Sequence, residues 1–173
     1  INDSILSLFT DGFGSVVIGD TASGTGTVNV DTSTFNDSAT IAGGTVNLNN
    51  AITMNANDSL AVIAGTTINV PNAASDIVTS GTGSISLTAG RSISLSAGSS
   101  LTTVDGGIAL NANNAATAPG NFSGIQLDGA TVMTSGLGDI SLHGAGGDSG
   151  ANNSGVHLDN SAVIESTSTA ADA

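Results

Sequence analysis

One short pattern recurs along this chain: a small residue, then two apolar residues separated by one other. It appears as Gly26-Thr27-Val28-Asn29-Val30 and Gly44-Thr45-Val46-Asn47-Leu48. It returns as Thr67-Ile68-Asn69-Val70, Gly83-Ser84-Ile85-Ser86-Leu87 and Ser92-Ile93-Ser94-Leu95. Later copies are Gly107-Ile108-Ala109-Leu110, Gly124-Ile125-Gln126-Leu127, Gly138-Asp139-Ile140-Ser141-Leu142 and Gly155-Val156-His157-Leu158. Alternating apolar residues in so short a run predict a short strand with one buried face. Self-similar units at a regular spacing point to a repeat architecture.

The spacing narrows the choice. From residue 77 onward, strands are expected near Ile77, Ile85, Ile93, Leu101 and Ile108, about eight residues apart. Residues 79–87 resemble 134–142 at an offset of 55, and 124–128 resemble 155–159 at an offset of 31. A coil of about 23 residues accounts for both offsets if some coils carry a loop. Two Gly/Asn/Ala-rich segments supply such loops, near 111–123 and 143–154, at one corner of successive coils. The expected fold is all-β: a right-handed parallel β-helix (β-solenoid) with three short strands per coil and about six coils. It forms a single segment over 1–173, read as an excerpt or stackable unit of a longer shaft. A β-sandwich would need longer strands and hairpin turns.

The expected core follows as six sets of inward anchors. They are Val16/Ile18, Val28/Val30 and Phe35; Ile41, Val46/Leu48 and Ile52/Met54; and Leu60/Val62, Ile68/Val70 and Ile77. The later three are Ile85/Leu87, Ile93/Leu95 and Leu101; Ile108/Leu110, Ile125/Leu127 and Val132; and Ile140/Leu142, Val156/Leu158 and Val163. Gly and Asn would supply positive-φ corners. No helix is expected beyond a short cap, although neither end shows an obvious capping sequence.

Composition removes several function classes. Among 173 residues only one is strongly basic, Arg91, against fourteen acids, for a formal net charge of −13. Phosphate backbones are bound by Lys and Arg, so nucleic acid is a poor partner, and anionic membrane surfaces are disfavoured for the same reason. No apolar run approaches the ~20 residues that span a bilayer. With no Cys, neither disulfides nor thiolate metal sites can form.

The stretch Gly83–Gly90, then Ile93-Ser94-Leu95-Ser96-Ala97-Gly98, Leu101-Thr102-Thr103 and Gly107-Ile108-Ala109-Leu110, resembles the coils of filamentous haemagglutinin-like exoproteins. Residues 11–19 and 24–28 resemble segments of the same large bacterial surface adhesins. The resemblance implies a secreted, cell-surface protein exported by two-partner secretion or related autotransport, with roles in adhesion, biofilm or contact. It implies no active site.

Candidate sites are sparse. Asp128 and Asp159 follow matching strands in adjacent coils, and stacked they form either a Ca²⁺ site or two solvated corner acids. No other cofactor is expected. Asn29, Asn47 and Asn69 hold one outward column that Gln126 and His157 continue, either as a hydrogen-bonded ladder or as a solvated polar face. His143 is expected to open an inserted loop and His157 to face outward. Neither has the spacing of a catalytic triad or a metal site, so no catalytic residue is assigned and no enzyme is expected. Arg91 is placed at a corner beside an acid. Val78, Met133 and Ile164 form an outward apolar stripe, unless the register there is off by one. Sequons at Asn2, Asn36, Asn57, Asn121 and Asn152 carry no assigned function.

The leading expectation is a structural or adhesive extracellular shaft, possessing unpaired strand edges that stack end to end into fibres. Its partners would be further copies, neighbouring coils of the same long protein, or a host or cell-surface glycan. The second expectation is a carbohydrate- or ice-binding module. Thr25/Thr27, Thr32/Thr34 and Thr167/Thr169 do not recur on one face, as an ice-binding array would. A polysaccharide lyase or hydrolase is third, and scattered acids with one Arg argue against it.

Overall fold

A computed structural model describes residues 1–151 and 153–167. The chain is all-β and parallel apart from one short helix. In chain order the elements are α1 (Asp3–Leu6), β1 (Val16–Gly19), β2 (Thr27–Val30), β3 (Ser33–Phe35), β4 (Ala39–Leu48) and β5 (Ile52–Met54). They continue with β6 (Leu60–Val70), β7 (Asp76–Val78), β8 (Ile85–Ala89), β9 (Ser92–Leu95), β10 (Ser100–Thr103) and β11 (Ile108–Ala112). The last five are β12 (Ile125–Asp128), β13 (Thr131–Thr134), β14 (Ile140–Gly144), β15 (Val156–Asp159) and β16 (Val163–Ser166).

The strands make two sheets. One has ten strands, and its main path is β14-β11-β8-β6-β9-β12-β15. β8 pairs with the Leu60–Ala64 half of β6, and β9 pairs with the Thr67–Val70 half. The seven strands therefore turn back at β6, and the outermost, β14 and β15, touch each other. This sheet is nearly closed, like a barrel. The remaining three strands extend it, β4 pairing with β6 and β1 and β2 both pairing with β4. The second sheet has six strands in the order β16-β13-β10-β7-β5-β3.

This corrects the expected right-handed β-helix with three short strands per coil. β4 and β6 are 10 and 11 residues long, so each runs through the place where a corner was expected. Two of the three expected faces are thus one sheet. Gly was expected to supply positive-φ corners, but Gly43, Gly44 and Gly65, which lie within these two strands, have no positive φ. At Gly43 and Gly44 smallness serves close approach instead. A Cβ on Gly43 would lie 2.9 Å from Val28 Cγ2, and one on Gly44 would strike the backbone of Thr25. The β4–β6 ladder shifts register between Gly43 and Thr45. The repeat length is also not constant: strand register partners lie from 18 to 32 residues apart.

Like residues stack on like within the sheets. Leu60, Ile85, Ile108 and Ile140 are successive register partners, as are Ile68, Ile93, Ile125 and Val156. In the second sheet the inward column is Ile52, Ile77, Leu101, Val132 and Ile164. Through the middle layers these side chains are fully buried, each contributing roughly 1.5–3 kcal/mol. Aliphatic branching suits such columns, because β-branched chains pack well on a pleated surface.

The ends depart from the expected anchors. Val163 was expected to point inward, but it pairs with Thr131, while Ile164 continues Val132. The third strand of the last layer is thus displaced by one residue from its expected register, which exchanges its faces. At the opposite end, Val16, Ile18 and Val28 are only half-buried. That end does carry a partial cap. Asn2 accepts from the Ile5 amide, α1 packs on β3, and Leu6 enters the core at 6% exposure. The Ile1 amino group donates to the Asn29 carbonyl, and the Asp3 amide donates to the Thr32 carbonyl.

Candidate functional site

The outer face of the ten-stranded sheet carries one continuous polar column. Its members, in register, are Asn29, Asn47, Asn69, Ser94, Gln126 and His157. The first three form a hydrogen-bonded ladder. Asn47 Nδ2 donates to Asn29 Oδ1 at 2.8 Å, and Asn69 Nδ2 donates to Asn47 Oδ1 at 2.7 Å. The matching strand units Thr-Val-Asn, Thr-Val-Asn and Thr-Ile-Asn place these amides at one position of successive strands, and the ~4.8 Å strand spacing suits amide-to-amide bonds.

Above Ser94 the column meets two stacked loops, 113–124 and 145–155. They begin after β11 and β14, because Asn111-Ala112 and His143-Gly144 remain paired in the ladder. Hence His143 lies within β14, exposed and opposite Asn111, and does not open the loop. Asn113, 3% exposed with φ 48°, holds the two loops together. Its Nδ2 donates to the carbonyls of Ala145 and Gly146, and its Oδ1 accepts from the amides of Thr117 and Ala118. The Gly147 amide donates to the Phe122 carbonyl, and the Gly120 amide donates to Asp148 Oδ1.

Phe122 sits under the guanidinium of Arg91, whose Cζ is 4.4 Å from the ring centroid. The cation therefore rests on a ring, and no acid among the described residues pairs with it as expected. Beside this pair lies a shallow hollow lined by Asn121, Phe122, Ser123, Gln126 and His157.

Asp128 and Asp159 are register partners, as their matching sequence contexts suggested. Asn160 stands between them, its Nδ2 donating to Asp128 Oδ1 at 2.5 Å and its backbone amide to Asp159 Oδ1 at 2.7 Å. The pair is thus a hydrogen-bonded corner closed by Asn160. Among the described residues no group of three His, Cys, Asp or Glu is placed to hold a metal ion. Val78 and Met133 share an outward column through Thr102, but Ile164 belongs to the inward one, so the expected three-residue stripe does not form. Of the sequons, Asn2 caps α1, Asn57 Oδ1 accepts from the Thr82 amide, and Asn152 lies outside the described residues, as does Thr169.

Sequence reasoning missed a buried polar row. Thr79, Thr103 and Thr134 are all buried, and their hydroxyls donate to the carbonyls of Gly83, Gly106 and Gly138 at 2.6, 2.6 and 3.0 Å. Each bond closes the turn from the second sheet back to the first. The likeness of 79–87 to 134–142 was its signal, visible as repetition but not as buried bonding.

The last layer is an edge. Among the described residues β14, β15 and β16 each pair on one side only, and Leu158, Val163 and Ile164 are 46%, 41% and 39% exposed. No helix among the described residues is long and apolar enough to cross a membrane. No protein-family model, curated protein or solved structure matches the chain.

Proposed function

We propose that this chain is a structural and adhesive section of a secreted bacterial surface protein, of the filamentous haemagglutinin-like kind, extended by adding further parallel layers at its β14-β15-β16 edge. One observation carries this reading. Ile140, Leu142, Val156, Leu158 and Ile164 continue the inward columns, and among the described residues no further layer covers them or pairs with their strands. Such an edge is a template for another strand of the same kind. A further copy supplies a matching cross-section, since each column already stacks aliphatic on aliphatic.

The sides of the molecule suit a shaft. They carry an Asn ladder and hydroxyl rows, such as Ser59 with Ser84 and Thr67 with Ser92. These groups satisfy one another along the sides. Of the two ends, α1 and residues 1–3 cover part of the first, so addition there must displace them.

The test is sedimentation and electron microscopy of the 173-residue chain across micromolar concentrations. Association into longer particles that Leu158→Glu together with Ile164→Lys abolishes is the expected result. Compact monomers at every concentration, or assembly indifferent to both substitutions, would refute it.

A further inference from the structure

We infer that the face beneath β1, β2 and β3 receives the β14-β15-β16 edge of a second copy, and that residues 1–3 hold the place of that edge in the single chain. This rests on the shaft reading proposed above and supplies the surface that answers its growing edge.

In a parallel ladder a residue donates to the residue before its partner and accepts from the residue after it. Ile125, the partner of Val156, donates in this way to the Gly155 carbonyl. Ile1 donates to the Asn29 carbonyl and accepts from the Asp31 amide, so it is bonded as a parallel partner of Val30. Asp3 donates to the Thr32 carbonyl, and its carboxylate accepts from the Thr34 amide. That is the same pattern about Ser33, with a side chain standing in for a backbone carbonyl.

Val30 and Ser33 open two columns whose far ends are at the other edge. Val30 pairs with Leu48, and the Asn47–Asn69 pairing sets Leu48 beside Val70. From Val70 the column runs through Leu95 and Leu127 to Leu158. Ser33 pairs with Ile52, whose column ends at Ile164. Laid beneath the first layer in this register, Leu158 takes the two bonds now made by Ile1, and Ile164 takes the two now made by Asp3. Ile1 also packs against the core, as Leu158 would in its place.

The third strand of the face is open. Among the described residues β1 pairs only with β4. The Val16 amide donates to the Ser38 carbonyl, so the next amide, Val17, faces away from β4. Val16 begins the column that ends at Ile140, and the same register sets the Val17 amide on the Ile140 carbonyl. A second copy can pair first at β1 and then exchange with residues 1–3. The cap that must yield is slight: α1 has four residues and buries only Leu6, while Ile5, Leu8 and Phe9 are exposed. Because the two copies use different surfaces, the contact does not close on itself and builds an open row.

Sedimentation and electron microscopy of the full chain and its variants test this. Val17→Pro removes the free amide of β1 without breaking a bond inside the chain, and it should abolish assembly. Mixed with the Leu158→Glu/Ile164→Lys chain, which keeps its lower face, it should form a one-to-one complex and nothing longer. Leu6→Ala loosens the cap and should lower the concentration needed for assembly about tenfold. If circular dichroism finds Val17→Pro unfolded, Val17→Cys and Ser141→Cys chains decide, since the two positions meet across copies and the protein has no Cys of its own. Mild oxidation of their mixture should favour the mixed disulfide over either like pair. Fibres or dimers of folded Val17→Pro alone, no complex in the mixture, a Leu6→Ala chain that assembles less readily, or disulfides in statistical yield would overturn the receiving face. A wild-type chain that stays monomeric sinks the shaft reading itself, whereas wild-type fibres indifferent to Val17→Pro sink only this surface.

Discussion

Thr79 and Gly83 are joined inside the protein by a hydroxyl-to-carbonyl hydrogen bond of 2.6 Å, at a turn where the chain passes from one sheet to the other. The same bond is made one layer on by Thr103 and Gly106, and again by Thr134 and Gly138. A buried carbonyl that loses its donor bears its desolvation cost in full. Thr103→Val keeps the shape and removes the donor, so it should lower stability by about 1–3 kcal/mol in urea unfolding. Thr53→Val, at an exposed position of the second sheet, should change it by less than about 0.5 kcal/mol.

The Asn ladder has a centre and two ends. Asn47 both donates to Asn29 and accepts from Asn69. Asn47→Ala therefore breaks two bonds and should cost about 1–2 kcal/mol, roughly twice the loss from Asn29→Ala. Equal losses would show that the amides act singly, each through its own solvation.

Ser75 is the reverse case. It is fully buried, and its Oγ has no hydrogen-bond partner among the described residues. Ser75→Ala removes an unsatisfied group without opening a cavity, so the midpoint of urea unfolding should stay or rise, by up to about 1–3 kcal/mol in free energy. A marked fall would mean that the hydroxyl does hold a partner in solution.

Asp20 titrates below its ordinary value of 3.8, because its carboxylate accepts first from the Ser23 hydroxyl and then from the Ala22 and Ser23 amides. A depressed folded pKa contributes stability above pH 3.8 that is lost as pH falls through the lower, folded value. The group is fully exposed, so the effect is local to the 20–23 turn. Ser23→Ala should move the Asp20 carboxyl titration, followed by NMR, upward toward 3.8. No movement would assign the depression to the amides alone.

Gly147 lies against the loop that carries Phe122. A Cβ there would collide with the Gly120 carbonyl and come within 2.9 Å of the Phe122 ring. Gly147→Val should therefore displace loop 113–124, seen as lost amide protection at Phe122 and Gly147, while the deep columns of β8 and β9 keep theirs. Protection unchanged at Phe122 would mean that the loop does not depend on this approach.

Much of the core was legible because alternation is a local signal. Ile85 and Leu87 declare a buried face within three residues, and their register partners Ile108 and Leu110 repeat it. The Asn column and the Asp128–Asp159 pairing were legible for the same reason. The joining of two faces was not. Gly43-Gly44 reads identically whether glycine is there to turn the chain or to let Thr25 come close, and only the packing decides. Ile164 and Val163 are adjacent and both apolar, so either can point inward, and Val132 beneath them chooses. The Arg91–Phe122 contact joins a strand start to a loop 31 residues on, with no periodicity to announce it.

Because every strand pairing reaches only to an adjacent layer, between 18 and 32 residues away, the loop-closure entropy of each added layer does not grow with the length already folded. Folding can advance as a front, each finished layer serving as the mould for the next. A chain cut after β10 should thus retain its lower layers and lose only what the missing ones covered. Such a body can be lengthened or shortened by evolution one layer at a time without redesigning what lies beneath.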